Sequence, residues 1–217
     1  MLLLAAGDGV RLESGEPKAF VTVAGMPILR RAAEAAAAAE LVDALVVAVP
    51  LGAEGRAEEL LSGLSKPVTM VSGGTTRQDS ASAAMARAGE AEAVAVHDAA
   101  RALCPSSLFD VCLRELDRSD AVCPALPASD TIKEVSGDIV VGTLDRTRLA
   151  AAQTPQAFRA DVYRRAHDAA ARDGVFATDD CSLVERIGVA VRIVPGDGRN
   201  IKITTPDDIA VAEMFLR

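Results

Sequence analysis

Aromatic residues are scarce in this 217-residue chain, which has five phenylalanines, one tyrosine and no tryptophan. A surface that stacks single-stranded nucleic acid needs several aromatic platforms, so that class of function is excluded. Lysine is equally rare: Lys18, Lys66, Lys133 and Lys202 are the only ones among 23 basic residues. With 31 acidic residues and a net charge of −8, the chain lacks the broad basic footprint of a nucleic-acid binder. Any phosphate must be held by a few local cations and by backbone N–H groups. His97 and His167 are the only histidines, and Cys104, Cys112, Cys123 and Cys181 contain no C-x-x-C pair, which argues against a four-ligand zinc site. Scattered cysteines of this kind read as reduced thiols. No apolar run reaches the length of a membrane span, because Gly7-Asp8-Gly9 interrupts the opening stretch and Glu34 and Glu40 flank the alanine run. The expectation is a soluble cytoplasmic protein with neither a nucleic-acid nor a membrane partner.

Half of the residues are hydrophobic. A chain of this length buries about 70% of its unfolded surface, enough for one domain with a core of Ala, Val, Leu and Ile. Short apolar runs predict strands at Leu2–Ala6, Ala44–Val49, Pro67–Val71, Ala93–His97, Ala121–Leu126 and Val189–Val194. None alternates with polar residues, as befits strands buried on both faces. Helical patterns fall between them, at Pro27–Ala39, Arg56–Leu61, Ser80–Ala88, Ser106–Leu116, Arg159–Ala171 and Asp180–Ile187. This alternation predicts a three-layer α/β sandwich around a mainly parallel sheet. One segment, from about Asp130 to Arg146, departs from it. There Thr131–Val135 and Ile139–Thr143 flank a Gly137-containing turn and read as a projecting hairpin, more polar than the core strands.

Five stretches stand out as candidates for chemistry or as helix starts. The first strand runs into Ala5-Ala6-Gly7-Asp8-Gly9-Val10-Arg11, followed by Pro17-Lys18. Small residues here either make a tight turn or let backbone N–H groups approach a phosphate; Arg11 and Lys18 in one loop favour a triphosphate, whose charge they would neutralise. Neither the dinucleotide fingerprint nor the P-loop pattern fits. Asp98, in His97-Asp98-Ala99-Ala100-Arg101, falls at the carboxyl end of a predicted parallel strand, where open α/β sheets bind ligands. It could hold Mg²⁺ beside nucleotide phosphates, or cap a helix or pair with Arg101. Gly73-Gly74-Thr75-Thr76-Arg77 reads as a loop ending in a helix cap, yet an arginine at a helix start implies an anionic neighbour. Thr205-Pro206-Asp207-Asp208 and Thr178-Asp179-Asp180 are capped helix starts, whereas Lys202 has no structural reason to interrupt its apolar stretch.

Together with Asp130-Thr131-Ile132-Lys133, Thr154-Pro155-Gln156-x-Phe158 and Asn200-Ile201-Lys202-Ile203-Thr204, these motifs run in order along nearly the whole chain. The ordered set resembles the 2-C-methyl-D-erythritol 4-phosphate cytidylyltransferase family. The resemblance implies a Rossmann-like nucleotidyltransferase sandwich and a homodimer joined through the protruding β-arm. It also implies transfer of CMP from CTP to the sugar-alcohol phosphate, a step of non-mevalonate isoprenoid biosynthesis, with Mg²⁺ as cofactor. By motif, Ala5, Ala6, Gly7, Gly74, Ser80 and Ala99 would hold CTP, Arg11 and Lys18 would stabilise the transition state, and Asp98 would bind the metal. Arg146 and Lys202 would position the methylerythritol phosphate, with Thr131, Arg101 and Thr154 bordering it. Ser72, Ala102 and Arg199 depart from the residues usual at these positions. A ribitol 5-phosphate cytidylyltransferase, and a non-catalytic nucleotide-binding protein on the same fold, are the alternative readings.

Overall fold

The computed structural model describes residues 1–7, 9, 12 and 15–217. Its centre is a sheet in which β5 (Val68–Ser72), β4 (Leu45–Val49), β1 (Leu2–Leu4) and β6 (Ala93–Asp98) pair in that order, all parallel. Beyond β6 comes β11 (Gln156–Arg159), antiparallel both to β6 and to β7 (Ala121–Pro127). β7 in turn pairs antiparallel with β10 (Ala150–Ala152) and parallel with β12 (Arg192–Pro195). The mainly parallel sheet is therefore present, and all six predicted strands are in it. β10 and β11 were not among them: β11 is four residues long, flanked by Pro155 and carrying Gln156, so its composition hides a strand that tertiary pairing creates.

Alternate residues of the strands feed two separate cores. Leu3, Val47, Val49 and Val122 face α1 (Ile28–Ala37), α2 (Glu54–Leu60) and α4 (Ser106–Glu115). Leu2, Leu4, Val46 and Val96 face α3 (Arg77–Met85), α5 (Ala160–Asp173) and α6 (Asp180–Arg186). The alanines explain how a chain so poor in aromatics fills these layers. In α1, Ala32, Ala33, Ala36 and Ala37 lie on the sheet side with Leu29, while Arg30 and Glu34 pair at 2.7 Å on the outer face. A third, smaller apolar cluster joins Val23 and Ile28 to Ala102, Ile203 and Ala212 of α7 (Pro206–Phe215). Val23 belongs to a two-strand ribbon, β2 (Thr22–Val23) with β3 (Met26–Pro27).

The hairpin is β8 (Lys133–Ser136) and β9 (Ile139–Thr143), a separate two-stranded sheet turning at Gly137-Asp138, where Gly137 has φ +62°. Residues 131–141 are all exposed, so it projects from the sandwich as an arm. All four cysteines are buried free thiols. Among the described residues, no helix is long and apolar enough to cross a membrane.

Candidate active site

The strand order reverses between β1 and β6, and a cleft of about 690 Å³ opens at their carboxyl ends. That is where a parallel α/β sheet leaves room for a ligand. One wall is Ala5-Ala6-Gly7 after β1, and another is Gly73-Gly74 leading into α3. These glycines are required by close approach. A Cβ on Gly73 would lie 2.2 Å from that of Ala6, and one on Gly74 would lie 2.2 Å from that of Asp79. The loop is then tied down: Ser80 Oγ accepts from Gly74 N at 3.1 Å, and Thr76 and Asp79 form a reciprocal capping box. Helix cap and cleft wall are one device. Lys18, at the start of a single 3₁₀ turn, Ser80 and Ala99 also line it.

Asp98 ends β6 and faces this cleft. Its Oδ1 is 2.9 Å from Arg77 Nε and its Oδ2 is 2.7 Å from Lys202 Nζ. Burial would raise the pKa of this carboxyl, but Arg77 and Lys202 overrule it and hold the group well below the usual carboxylate range. The anion expected next to Arg77 is thus supplied by the protein, and twice over, because Arg77 Nη1 also lies 2.7 Å from Asp180 Oδ2. Lys202 lies between the half-buried Ile201 and the buried Ile203, whose N donates to the Ala100 carbonyl at 2.9 Å, and its own side chain turns to the cleft. Asp98 neither caps a helix nor pairs its carboxylate with Arg101.

Behind Asp98 lies a chain of polar groups. Its backbone N–H donates to Thr154 Oγ1 at 3.1 Å, and that hydroxyl is 2.9 Å from His97 Nδ1. His97 Nε2 lies 3.3 Å from the Arg101 carbonyl. The Arg101 carbonyl can only accept, so neutral His97 carries its proton on Nε2, and Nδ1 accepts from the Thr154 hydroxyl. Burial lowers the His97 pKa to about 4 from 6.5. Native His97 therefore stays neutral in a window where the unfolded residue is protonated, so stability is full above pH 6.5 and falls as the pH drops through about 4. The loss attributable to this residue is about 3 kcal/mol. Urea unfolding should show His97→Asn with a flatter dependence over that window; equal slopes would refute the assignment.

Thr154 and Arg101 thus sit one layer behind the cleft. Arg101 donates to the carbonyls of Asn200 (2.7 Å) and Ala152 (3.3 Å), holding the Lys202 segment against β10. Gln153, which no motif singles out, fixes the same segment through Asp197 N at 3.1 Å, the Asp197 carbonyl at 2.9 Å and Asn200 Nδ2 at 3.2 Å. Asp180 was also missed. Asp179 caps α6 by accepting from Ser182 N, which leaves Asp180 free to turn inward. Two successive acids at a helix start, of which only one can be the cap, were the available signal.

The sequence profile of the 2-C-methyl-D-erythritol 4-phosphate cytidylyltransferase family matches residues 1–217. A 2-C-methyl-D-erythritol 4-phosphate cytidylyltransferase of Rhodococcus jostii is 47% identical over 217 residues, covering 99% of this chain and 93% of its own. The chain belongs to this cytidylyltransferase family. Solved structures agree. The Thermus thermophilus 2-C-methyl-D-erythritol 4-phosphate cytidylyltransferase superposes with a TM-score of 0.82 at 33% identity, covering 99% of this chain and 97% of that one. The 4-diphosphocytidyl-2C-methyl-D-erythritol synthase of Anaerococcus prevotii gives 0.89 at 27%, covering 99% and 94%.

Of the residues that the family motifs single out, Ala5, Ala6, Gly7, Lys18, Gly74, Ser80, Asp98, Ala99 and Lys202 all line the cleft. Arg11 lies outside the described residues. Thr131 and Arg146 are exposed on and beside the arm and do not line the cleft of their own chain, and Arg146 donates to the Ser129 carbonyl. The three departures from the cytidylyltransferase pattern each have a local place. Ser72 donates its hydroxyl to Glu54, Ala102 packs in the third apolar cluster, and Arg199 is exposed with its N–H on Asp197.

Proposed function

We infer that the cleft transfers a cytidylyl group from CTP to 2-C-methyl-D-erythritol 4-phosphate and releases pyrophosphate. The observation that supports this most is Asp98 with Lys202 at the mouth of a glycine-walled pocket whose other edge carries Lys18. A phosphate oxygen of the sugar-alcohol attacks the α-phosphorus of CTP. The new P–O bond forms as the bond to the β-phosphate oxygen breaks, and the electron pair leaves on pyrophosphate. A phosphate monoester is already ionised near neutral pH, so no general base is needed. The demand is for cations, since two anions must meet. Lys18 and Arg11 would meet the charge on the triphosphate, and Lys202 that on the incoming phosphate.

The backbone of Ala5–Gly7 and Gly73–Gly74 would select the nucleotide. A narrow pyrimidine site rejects purines by size and distinguishes cytosine from uracil by its exocyclic amine. Magnesium fits Asp98: each carboxylate oxygen meets one cationic donor and keeps a lone pair, and the described residues offer no cluster of three ligating side chains. One protein carboxylate with substrate phosphates and water is the usual way this ion is held. Bound there, it would neutralise charge developing on the phosphate oxygens.

A second copy of the chain would complete the site. Ile132, Val135, Ile139, Val140, Val141 and Leu144 are exposed on and beside the arm. An isolated two-stranded hairpin is marginal in water, so exchange of arms in a homodimer would bury this surface and bring Thr131 and Arg146 to the partner's pocket. The first experiment is pyrophosphate release with CTP, ATP and GTP against methylerythritol phosphate and ribitol 5-phosphate. Turnover is expected with CTP and methylerythritol phosphate at least 100-fold above the other combinations by kcat/KM. Comparable rates with ATP or GTP would overturn the nucleotide assignment, and preference for ribitol phosphate would overturn the acceptor.

A further inference from the structure

Arg77 lines the cleft, but its guanidinium faces two protein carboxylates, Asp98 at 2.9 Å and Asp180 at 2.7 Å. Asp180 is 1% exposed and lies in the core between the sheet and α5, where its Oδ1 accepts from Tyr163 Oη at 2.6 Å. His167 Nε2 is 3.8 Å from the same oxygen. A carboxylate so deep costs several kcal/mol to desolvate, and apolar side chains of similar volume often pack there at no loss of stability. Among the described residues, Arg77 Nη2 is moreover buried without a hydrogen-bond partner, a further cost of about 1–3 kcal/mol. Stability alone does not account for this arrangement.

Orientation does. An arginine side chain is long and has many rotamers, and an arginine held only by Asp98 would move with it. Asp180 anchors one arm of the guanidinium from inside the core, so that Nε points at Asp98 Oδ1 and the other oxygen, Oδ2, is left to Lys202 and the cleft. The two elements that carry the pair are also locked together. Gln78, next to Arg77, donates to the Val175 carbonyl at 3.1 Å and accepts from Ala177 N at 3.0 Å, just before α6 begins. We propose that Arg77 and Asp180 are positioning residues that fix the rotation of the Asp98 carboxylate and thereby the oxygen it presents to the reacting phosphates. This rests on Asp98 acting in the transfer reaction.

The test is a double-mutant cycle on the full-length enzyme, with Asp180→Asn made alone and together with Asp98→Asn. Alone, Asp180→Asn should lower kcat about 10- to 100-fold while the KM for CTP changes less than about 3-fold. In the Asp98→Asn background, the same change should alter kcat less than about 2-fold, because its route to the reaction is already gone. Arg77→Lys keeps the charge but not the fork, and should reproduce the Asp180→Asn loss. Tyr163→Phe removes one hydroxyl and keeps the packing, so it should lower kcat less than Asp180→Asn without raising the KM for CTP, even if the buried asparagine folds poorly. Equal losses from Asp180→Asn in both backgrounds, or wild-type kcat in Arg77→Lys and Tyr163→Phe, would overturn the proposal. Wild-type kcat in Asp98→Asn alone would instead remove the assigned role of Asp98, and the positioning role with it.

Discussion

Lys18→Ala should lower kcat by about two to three orders of magnitude while the KM for CTP rises less than about ten-fold. The charge on the leaving pyrophosphate grows as the P–O bond breaks, so a cation beside it matters more in the transition state than in the bound nucleotide. Removing one such preorganised donor typically costs about 3–4 kcal/mol of barrier. Lys18 is placed by Gly9, which has φ +65° and would bring a Cβ to 2.7 Å from that of Lys18. Gly9→Ala should therefore act in the same direction with a smaller loss. Arg11→Ala should resemble Lys18→Ala if the two cations share the triphosphate. Single-turnover rates at saturating CTP separate the outcomes. Unchanged kcat with a large rise in KM would assign Lys18 to ground-state binding, and unchanged values of both would leave the loop a structural turn.

Replacing residues 132–143 by a short glycine-serine linker should give a folded monomer with at least a 100-fold loss of turnover. The sandwich should survive because residues 131–141 are all exposed and β8 and β9 form a sheet of their own. Val135 and Ile139 are 59% and 63% exposed, an apolar surface that the proposed exchange of arms would cover. Sedimentation and a CTP-binding titration decide the matter together. A dimer that persists without the arm, or a monomer with full activity, would sink the shared-site idea. Arg146→Ala is the finer probe. It should raise the KM for the sugar phosphate or lower turnover while CTP binding measured alone stays nearly unchanged; an equal loss of CTP affinity would place Arg146 in the nucleotide site.

Sequence order alone determined the layered architecture, since uninterrupted Val- and Leu-rich runs between helical patterns admit few other packings. It also showed Ala5–Gly7 and Gly73–Gly74 as small-residue loops after strands, but that Gly73 must be small because it meets Ala6 is a contact between distant parts of the chain. The arm followed from its turn and its polarity, and Lys202 from being a charge in an apolar stretch. What Asp98 touches could not be obtained this way. Its partners Arg77 and Lys202 are distant in sequence, and the nearer Arg101 was the natural candidate until β6 and the residue 200–203 segment came together and turned its guanidinium to backbone carbonyls. Thr154 passed from a pocket residue to one behind the pocket for the same reason. β11 inserts between β6 and β7 and buries the Thr154 hydroxyl against His97. Local sequence specifies turns, caps and which face of an element is apolar, because those depend on neighbours three or four residues away. Which buried charge meets which depends on pairing between strands far apart in the chain, and only the tertiary structure decides that.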